Sequence, residues 1–293
     1  MRLLFAMSKP VFILWSFALL LSLGTVVNAA DTDGSVDKSA FNLFKPVPEN
    51  LMRELEPDRP DATESPHTVD AGHFQLEMDF ANFTYNRGNG ETTRVWNVAP
   101  VNLKAGLLNN VDLQLVLDNY LHVRTEDRAT GTTTRSGFGD FTTRLKINLW
   151  GNDGGQTAFG LLPYVKLPTS TARLGNNGVE GGIIFPFAVK LPLDFELGTE
   201  TGVGFFRNQN DNNYHEEFIV SATLDHSIVG NLSGYVEFFS NFTTERHSDW
   251  IGTVDLGLEF LLTKNIQLDC GCNVGVTRAA DTAHAFSGVT IRF

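Results

Sequence analysis

The sequence predicts an all-β protein: a transmembrane antiparallel up-and-down β-barrel of about 12 strands with an N-terminal extension. Three observations lead to this prediction: an export signal at the N-terminus, about twelve segments of alternating apolar and polar residues, and a last strand that ends on phenylalanine. The chain of 293 residues carries 34 acidic and 22 basic side chains. This acidic balance argues against nucleic acid as a partner, because phosphate neutralisation requires clustered lysine and arginine.

Residues 1–29 have the features of a cleaved signal peptide. Arg2 and Lys9 precede a long apolar stretch, and the small residues of Val27-Asn28-Ala29 fit the site that signal peptidase reads, so we expect cleavage after Ala29. A transmembrane anchor is the alternative, but serine, threonine and glycine dilute the run and nothing basic follows it. No later apolar run could cross a bilayer as a helix, so a mature chain in a membrane must cross it as strands.

Residues 30–71 are predicted to form a periplasmic or lumenal extension, and residues 72–293 to form the outer-membrane barrel. The extension contains five of the eleven prolines, and its one helical candidate is Glu49–Leu55. Because proline disfavours regular strand pairing, we expect this region to fold back into the lumen as a plug or gate, with Arg53 and Arg59 meeting acidic lumen residues. A disordered periplasmic tail is the alternative.

From residue 72 onward the sequence alternates with period two, which is the pattern of strands with one apolar face. In residues 266–277 every even-numbered residue is apolar and every odd-numbered residue is polar or glycine. Segments of roughly ten to fourteen residues are longer than ordinary strands, and an even number of them is required in a bacterial barrel. The predicted strands lie near 72–85, 93–105, 111–123, 138–149, 157–167, 180–191, 194–207, 214–225, 232–244, 249–262, 265–277 and 284–293.

The connections between these segments alternate between longer polar loops and tight turns, as expected for the outer and periplasmic ends of such a barrel. The stretches 86–92 and 124–137 are among the predicted outer loops. Trp96 and Trp250 fall at predicted outer strand ends and Trp150 at a lower end, which predicts two aromatic girdles. The strands of a secreted β-sandwich would also alternate between apolar and polar residues, but a sandwich would not require aromatic residues at the strand ends.

The chain ends on the segment AFSGVTIRF, whose alternating positions finish on Phe293. A last strand that ends in phenylalanine resembles the signal read by the barrel insertion machinery of the outer membrane. This machinery and outer-membrane lipid are therefore the predicted partners. Together with the signal peptide, the strand predicts a location in the outer membrane of a Gram-negative bacterium.

The segment at residues 58–80 combines an Asp-Arg-Pro-Asp run, a Thr-Glu-Ser-Pro run, a valine and a glycine ahead of the first strand. It resembles the opening motif of a family of outer-membrane proteins named for the meta-pathway of phenol degradation and often labelled transporters. The stretch GLLPYVKLPT at residues 160–169 is similar to the family's middle strand. The resemblance covers residues 58–293 and implies a channel or transporter for small molecules, aromatic or otherwise apolar compounds among them, through a narrow lumen. The motif residues are Asp58, Arg59, Pro60, Asp61, Thr63, Glu64, Ser65, Pro66, Val69 and Gly72.

Charged side chains opposite the apolar face are predicted to line the lumen, because each would be costly in hydrocarbon. The alternative is that they pair across the lumen simply to fill and stiffen it. The predicted lumen residues are Glu77, Asp79, Lys104, Arg144, Lys146, Lys166, Lys190, Glu196, Glu200, Asp255, Glu259, Asp269 and Arg292.

No catalytic, cofactor or metal motif of known spacing occurs, so we predict no catalytic residue, no cofactor and no metal. His215 and Glu217 share a strand face, but such a pair is usually an ordinary polar surface. Two alternatives to a channel stay open: a structural barrel without transport, and a barrel phospholipase with histidine and serine close together near the outer rim. The phospholipase candidates are His122 or His247 with Ser136 or Ser248.

Overall fold

The computed structural model describes residues 37–88, 90–208, 213–245 and 249–293, which form a closed antiparallel β-barrel. The predicted signal peptide and its cleavage site lie outside the described residues, as do His247 and Ser248. The strands are β1 (Phe74–Gly88), β2 (Glu91–Val98), β3 (Val101–Leu108), β4 (Val111–Leu117), β5 (Tyr120–Asp127), β6 (Gly131–Gly137), β7 (Phe141–Trp150), β8 (Thr157–Leu167), β9 (Glu180–Leu191), β10 (Phe195–Arg207), β11 (Tyr214–Val229), β12 (Leu232–Thr243), β13 (Ile251–Thr263), β14 (Ile266–Gly275) and β15 (Ala283–Arg292).

These fifteen strands occupy twelve positions in the wall, because β2 and β3, β4 and β5, and β6 and β7 follow one another in line. The first interruption falls at Ala99 and Pro100, where Ala99 has a φ of 53° and Pro100 has no amide hydrogen to donate. Pairing of β1 with β15, from Gln75 opposite Arg292 to Tyr85 opposite Ala283, closes the wall. The predicted twelve-stranded barrel is confirmed.

The prediction of outer loops at 86–92 and 124–137 is wrong. Strands β1 and β2 meet in a tight hairpin, and β5 and β6 form a second hairpin that extends the wall at the outer end. The residues of β6, GTTTRSG, are polar on both faces and almost all exposed. Because periodicity reports the burial of one face, it cannot detect a strand that buries neither face.

The predicted helix Glu49–Leu55 is also wrong, since only Glu49–Leu51 forms a short 3₁₀ turn. The Arg53 amide donates instead to the Asp70 carboxylate at 2.9 Å, and the Arg292 guanidinium binds the carbonyl oxygens of Arg53 and Glu54. These tertiary contacts take the backbone groups that a helix would need. Across the described residues, no helix is long and apolar enough to span a bilayer.

The side chains of the wall are arranged in the opposite way to those of a soluble protein, with apolar residues outside and charged residues inside. On β13, Val254 and Leu256 are exposed on the outer face while Asp255 between them is buried. Lys146 and Glu237, on other strands, are almost completely buried on the inside. An apolar outer face and a polar interior are what a barrel surrounded by lipid requires.

The two ends of the barrel differ. Tight turns at 109–110, 230–231 and 264–265 lie at the end where the C-terminal Phe293 pairs with Phe74 through both backbone hydrogen bonds. In outer-membrane barrels this end faces the periplasm, and we call it the periplasmic end. Longer connections such as 168–179 and 276–282 lie at the outer end.

Candidate functional site

A continuous part of the extension, residues 53–70, lies inside the barrel, and we call it the plug segment. It begins and ends at the periplasmic end, where the Arg53 amide binds Asp70. Between these points it makes hydrogen bonds or ion pairs with β1, β3, β7, β10, β11, β12 and β14. A segment that contacts the wall on all sides lies across the lumen.

The glycine at residue 72 allows the chain to turn from the plug segment into β1. Gly72 has a φ of +78°, and a Cβ there would lie 2.5 Å from the Cα of Pro46. Its amide donates to the Gly106 carbonyl at 2.8 Å. Any larger residue would be strained and would also clash with the extension, which explains the glycine in the opening motif.

Asp58 is the main anchor of the plug segment on one side of the lumen. Its carboxylate lies 2.5 Å from Lys104 Nζ and also pairs with Lys146, whose side chain is fully buried. Burial alone would raise the pKa of Asp58, but the two ammonium groups outweigh this effect and hold it well below its usual range. Asp58 therefore stays ionised and bound to both lysines.

Glu64 forms a second anchor beside the first. It pairs with Arg144 on β7, and its backbone amide donates to the Glu200 carboxylate on β10 at 2.9 Å. Burial raises the pKa of Glu64, and the positive charges of Arg144 and Lys146 oppose this shift. The segment is thus bound through both its side chains and its backbone.

Arg59 binds a second part of the wall, on β1 and β14. Its guanidinium lies 2.5 Å from Asp79 on β1 and 2.6 Å from Asp269 on β14. Gly288 on β15 is adjacent to both aspartates in register, and a Cβ there would lie 2.2 Å from Arg59 Nη2. The missing side chain makes room for the guanidinium between the two carboxylates.

A third contact region lies near β11 and β12. The Ala62 amide donates to Glu237 at 2.8 Å, and the Thr63 hydroxyl lies 2.5 Å from the same carboxylate and 2.6 Å from Ser221 Oγ. Asp61 faces three acidic wall residues here, and burial together with their charge raises its pKa well above the usual range. The lumen therefore has a basic side around Asp58 and an acidic side around Asp61.

The predicted lumen residues divide into two groups. Eight of them make hydrogen bonds or ion pairs with the plug segment: Glu77, Asp79, Lys104, Arg144, Lys146, Glu200, Asp269 and Arg292. The other five have different surroundings. Lys166 pairs with Glu180, Asp255 accepts a hydrogen bond from Thr253, and Glu259 accepts one from Ser233. Lys190 is exposed, and Glu196 lies near Glu56 and His67.

Several wall residues that hold the plug segment were missed by the sequence reasoning. Asp112 accepts from the Val69 amide, and Asn148 donates to the Pro66 carbonyl. Glu237 lies on the same alternating face as the residues that were chosen and could have been found by that signal. Ser221 and Asn148 are uncharged, and a search for charges cannot find them.

The histidine candidates are arranged as follows. His122 Nδ1 lies 2.7 Å from Ser136 Oγ on the outer hairpin of β5 and β6. Among the described residues no hydrogen bond joins the other ring nitrogen of His122 to a carboxylate or amide, so the pair lacks the third group of a triad. His215 binds Asn208 and Glu217 next to it on the strand.

A cavity of about 210 Å³ lies between the plug segment and the wall. The plug side contributes Leu55, Glu56 and Pro66, and the wall contributes Glu196 and Asp225 among others. This cavity is therefore small and rich in carboxylates.

The model of the family described as "Putative MetA-pathway of phenol degradation" matches residues 57–293. The chain belongs to this family. The match includes the plug segment from residue 57 onward as well as the barrel. A comparison with curated proteins found no sequence match.

Two solved structures are similar to this member of the phenol-degradation family. The COG4313 outer membrane channel from Pseudomonas putida F1 is 13% identical, with a TM-score of 0.58 over 81% of this chain and 100% of that one. The transport unit of the autotransporter AIDA-I from Escherichia coli is 9% identical, with a TM-score of 0.50 over 81% of this chain and 92% of that one. They show a shared barrel fold. With its lipid-facing outer surface, the protein resides in the outer membrane of a Gram-negative bacterium.

Proposed function

We propose that the protein is an outer-membrane channel or transporter for small molecules, and not an enzyme, whose lumen is closed at rest by the plug segment. The observation that carries this proposal is the position of residues 53–70 across the lumen, bound to different strands of the wall by Asp58, Arg59 and Glu64. A twelve-stranded barrel lies between small barrels filled by side chains and large open porins, so a short segment suffices to close it.

The type of contact supports a movable plug. The plug segment is held by side-chain ion pairs and hydrogen bonds, and not by the continuous backbone ladder of an added strand. Buried ion pairs contribute little net free energy, because the attraction between the charges is offset by their lost hydration. Water entering the lumen can therefore replace these contacts at small cost, whereas a strand ladder or an apolar core would resist it.

The family description supports one class of cargo. It names phenol degradation, so we propose phenol and related small aromatic compounds as the cargo to test first. In the outer membrane, we further propose that the insertion machinery reads the last strand through Phe293, whose side chain is exposed.

A reversible disulfide tests the plug directly. Thr63 Oγ1 and Ser221 Oγ are 2.6 Å apart, so the double variant Thr63→Cys/Ser221→Cys places two thiols within bonding reach. We would replace the native cysteines, Cys270 and Cys272, by alanine first. Planar-bilayer recordings should show few openings in the oxidised protein and more openings after reduction.

The single variant Thr63→Cys is the matched control and should not respond to reductant. Two deletions complete the experiment. Removing residues 31–57 leaves Asp58 and Arg59 attached to β1, whereas removing residues 31–70 takes away the whole plug segment. Larger openings that appear only when residues 31–70 are removed support the plug. Equal conductance in all forms would remove the plug role, and no conductance in any form would favour a structural barrel that does not transport.

A further inference from the structure

Three potential metal ligands meet where the plug segment passes the wall. One carboxylate oxygen of Glu56, one ring nitrogen of His67 and one carboxylate oxygen of Glu196 all lie within 4.8 Å of one another. Glu56 is on the incoming arm of the plug segment, His67 on the outgoing arm and Glu196 on β10. The three groups are distant in sequence, and only the seating of the plug segment brings them together.

One polar atom at this position lacks the hydrogen-bond partner that burial normally demands. His67 Nδ1 is fully buried and makes no hydrogen bond, which is unusual because an unpaired buried polar atom costs free energy. Among the described residues, neither Glu56 nor Glu196 forms an ion pair with lysine or arginine. Lys190 lies opposite Glu196 in register but is exposed. A cation at the centre would bind one ring nitrogen of His67 and both carboxylates at once.

The chemistry of the set indicates which cation. One imidazole and two carboxylates are typical ligands of zinc and related divalent transition metals, whereas calcium and magnesium prefer oxygen ligands alone. Zinc binds such ligands at about 2.0–2.2 Å, so an ion bound here would draw the three atoms around itself from their present separation of up to 4.8 Å.

The site also has room for exchangeable ligands. Glu56 and Glu196 both line the cavity of about 210 Å³, from which water can complete the coordination. Three protein ligands and an open position are the usual arrangement of a zinc site that exchanges ligands.

We propose that Glu56, His67 and Glu196 form a binding site for a divalent transition-metal ion of the zinc type, which ties both arms of the plug segment to β10. Binding at this site depends only on the geometry of the three side chains. Its consequence, a lumen held closed by metal, rests on the proposed plug. A ligand that binds only the closed state shifts the equilibrium towards that state.

The test uses full-length mature protein without a polyhistidine tag, purified in detergent and stripped with a chelator. Calorimetric titration with Zn²⁺ should give one site per chain. His67→Ala and Glu196→Gln should each weaken that site at least tenfold, and Glu56→Gln serves as a further variant if either does not assemble. Heat-modifiable migration on SDS gels identifies the variants that form a closed barrel.

The matched control is His215→Ala, which removes another buried histidine that has a glutamate neighbour. It should leave Zn²⁺ affinity unchanged. Loss of binding in this control, absence of saturable binding in the wild type, or equally tight binding of Ca²⁺ would each overturn the proposed site.

Single-channel recordings separate the site from the plug. Zn²⁺ should reduce openings at least severalfold in the wild type and not in His67→Ala. If Zn²⁺ binds at Glu56, His67 and Glu196 but openings do not change, the site stands and its closing role is overturned. If openings respond to Zn²⁺ equally in both proteins, the effect arises elsewhere and the closing role fails too.

Discussion

Arg59 in the plug segment and Asp269 in the wall form a two-point ion pair, with Nε to Oδ2 at 2.9 Å and Nη2 to Oδ1 at 2.6 Å. The pair joins residues from nearly opposite ends of the chain. Bidentate pairing fixes orientation as well as distance, because the planar guanidinium matches the carboxylate. Asp79 completes the pocket, so one arginine neutralises part of the charge of two wall carboxylates.

Removal of this arginine should release the plug. In Arg59→Ala, Asp79 and Asp269 would face each other without a cation, and breaking a buried pair of this type costs about 3–5 kcal/mol. We expect more frequent and longer openings in planar bilayers. The control is Arg94→Ala, which removes an exposed pair with Glu126 worth about 0–1 kcal/mol. Identical gating of the two variants would contradict the anchoring role of Arg59.

Asp58→Asn should change ion selectivity. The substitution leaves Lys146 without its close partner and Lys104 with Glu77 alone, so net positive charge appears on that side of the lumen. We expect the reversal potential in a KCl gradient to move towards chloride. Glu126→Gln, on the outer hairpin, should leave the reversal potential unchanged. A shift towards potassium in Asp58→Asn would show that the lysines do not face the ion path.

The plug should loosen as pH rises. In the closed state Asp61 keeps its proton at pH values well above its usual pKa. The cause is its burial and the negative charge of Glu237 on β12, Asp225 on β11 and Glu259 on β13. A released, hydrated Asp61 would titrate near its ordinary value, so the closed state binds more protons. The stabilisation is present at low pH and is lost as pH rises through the raised pKa.

Recordings between about pH 5 and pH 9 check this expectation, since openings should increase with pH in the wild type. In Asp61→Asn the side chain stays neutral, and this part of the pH dependence should disappear. Openings that decrease with pH in the wild type would reverse the sign and refute the assignment to Asp61.

Arginine on the lipid face should prevent assembly or weaken the barrel. Leu256 is 53% exposed on the outer face, and Leu256→Arg should destabilise the barrel by about 2–4 kcal/mol in urea unfolding from vesicles. The matched lumen variant is Asn273→Arg, which can pair with Asp255 directly opposite on β13. If both variants lost the same free energy of unfolding, the alternation would not distinguish the lipid face from the lumen face.

Gly271 is also on the lumen face but does not offer the same freedom. A Cβ there would lie 2.5 Å from the Phe286 ring and 2.9 Å from the Tyr235 hydroxyl. Gly271→Arg should therefore fail to assemble, although alternation alone places Gly271 on the lumen face, where arginine is otherwise expected to be accommodated.

Phe293→Ala should slow assembly more than it weakens the folded barrel. The Phe293 side chain is 64% exposed, and the residue is held through backbone hydrogen bonds that alanine keeps. Pulse-chase labelling with heat-modifiability should show slower barrel formation in cells, while urea unfolding of the refolded protein stays within about 0.5 kcal/mol of the wild type. Normal assembly in cells would remove Phe293 as the residue that the insertion machinery reads.

The sequence by itself determined the barrel, since each of the twelve wall positions contains a predicted strand. Period-two alternation succeeds because lipid selects apolar residues on one face of every strand over its whole length. It failed for β6, where both faces meet water, and it does not report the space beside Gly271, which is set by Tyr235 and Phe286 from other strands. The sequence also placed charges such as Asp79 and Asp269 on the inward face, where the structure buries them.

Only the tertiary structure decided what those inward charges do. Nothing in the sequence order of Asp58 and Arg59 shows that one binds two lysines and the other two aspartates, each pair on two different strands of the wall. Nor does it show that Glu56 and His67 meet Glu196. The alternation along a strand shows which residues face lipid and which face the lumen. It does so because lipid favours apolar side chains and the lumen favours polar ones at each position separately. Partners across a closed lumen depend on register, strand order and the path of the plug segment, which exist only once the wall has closed.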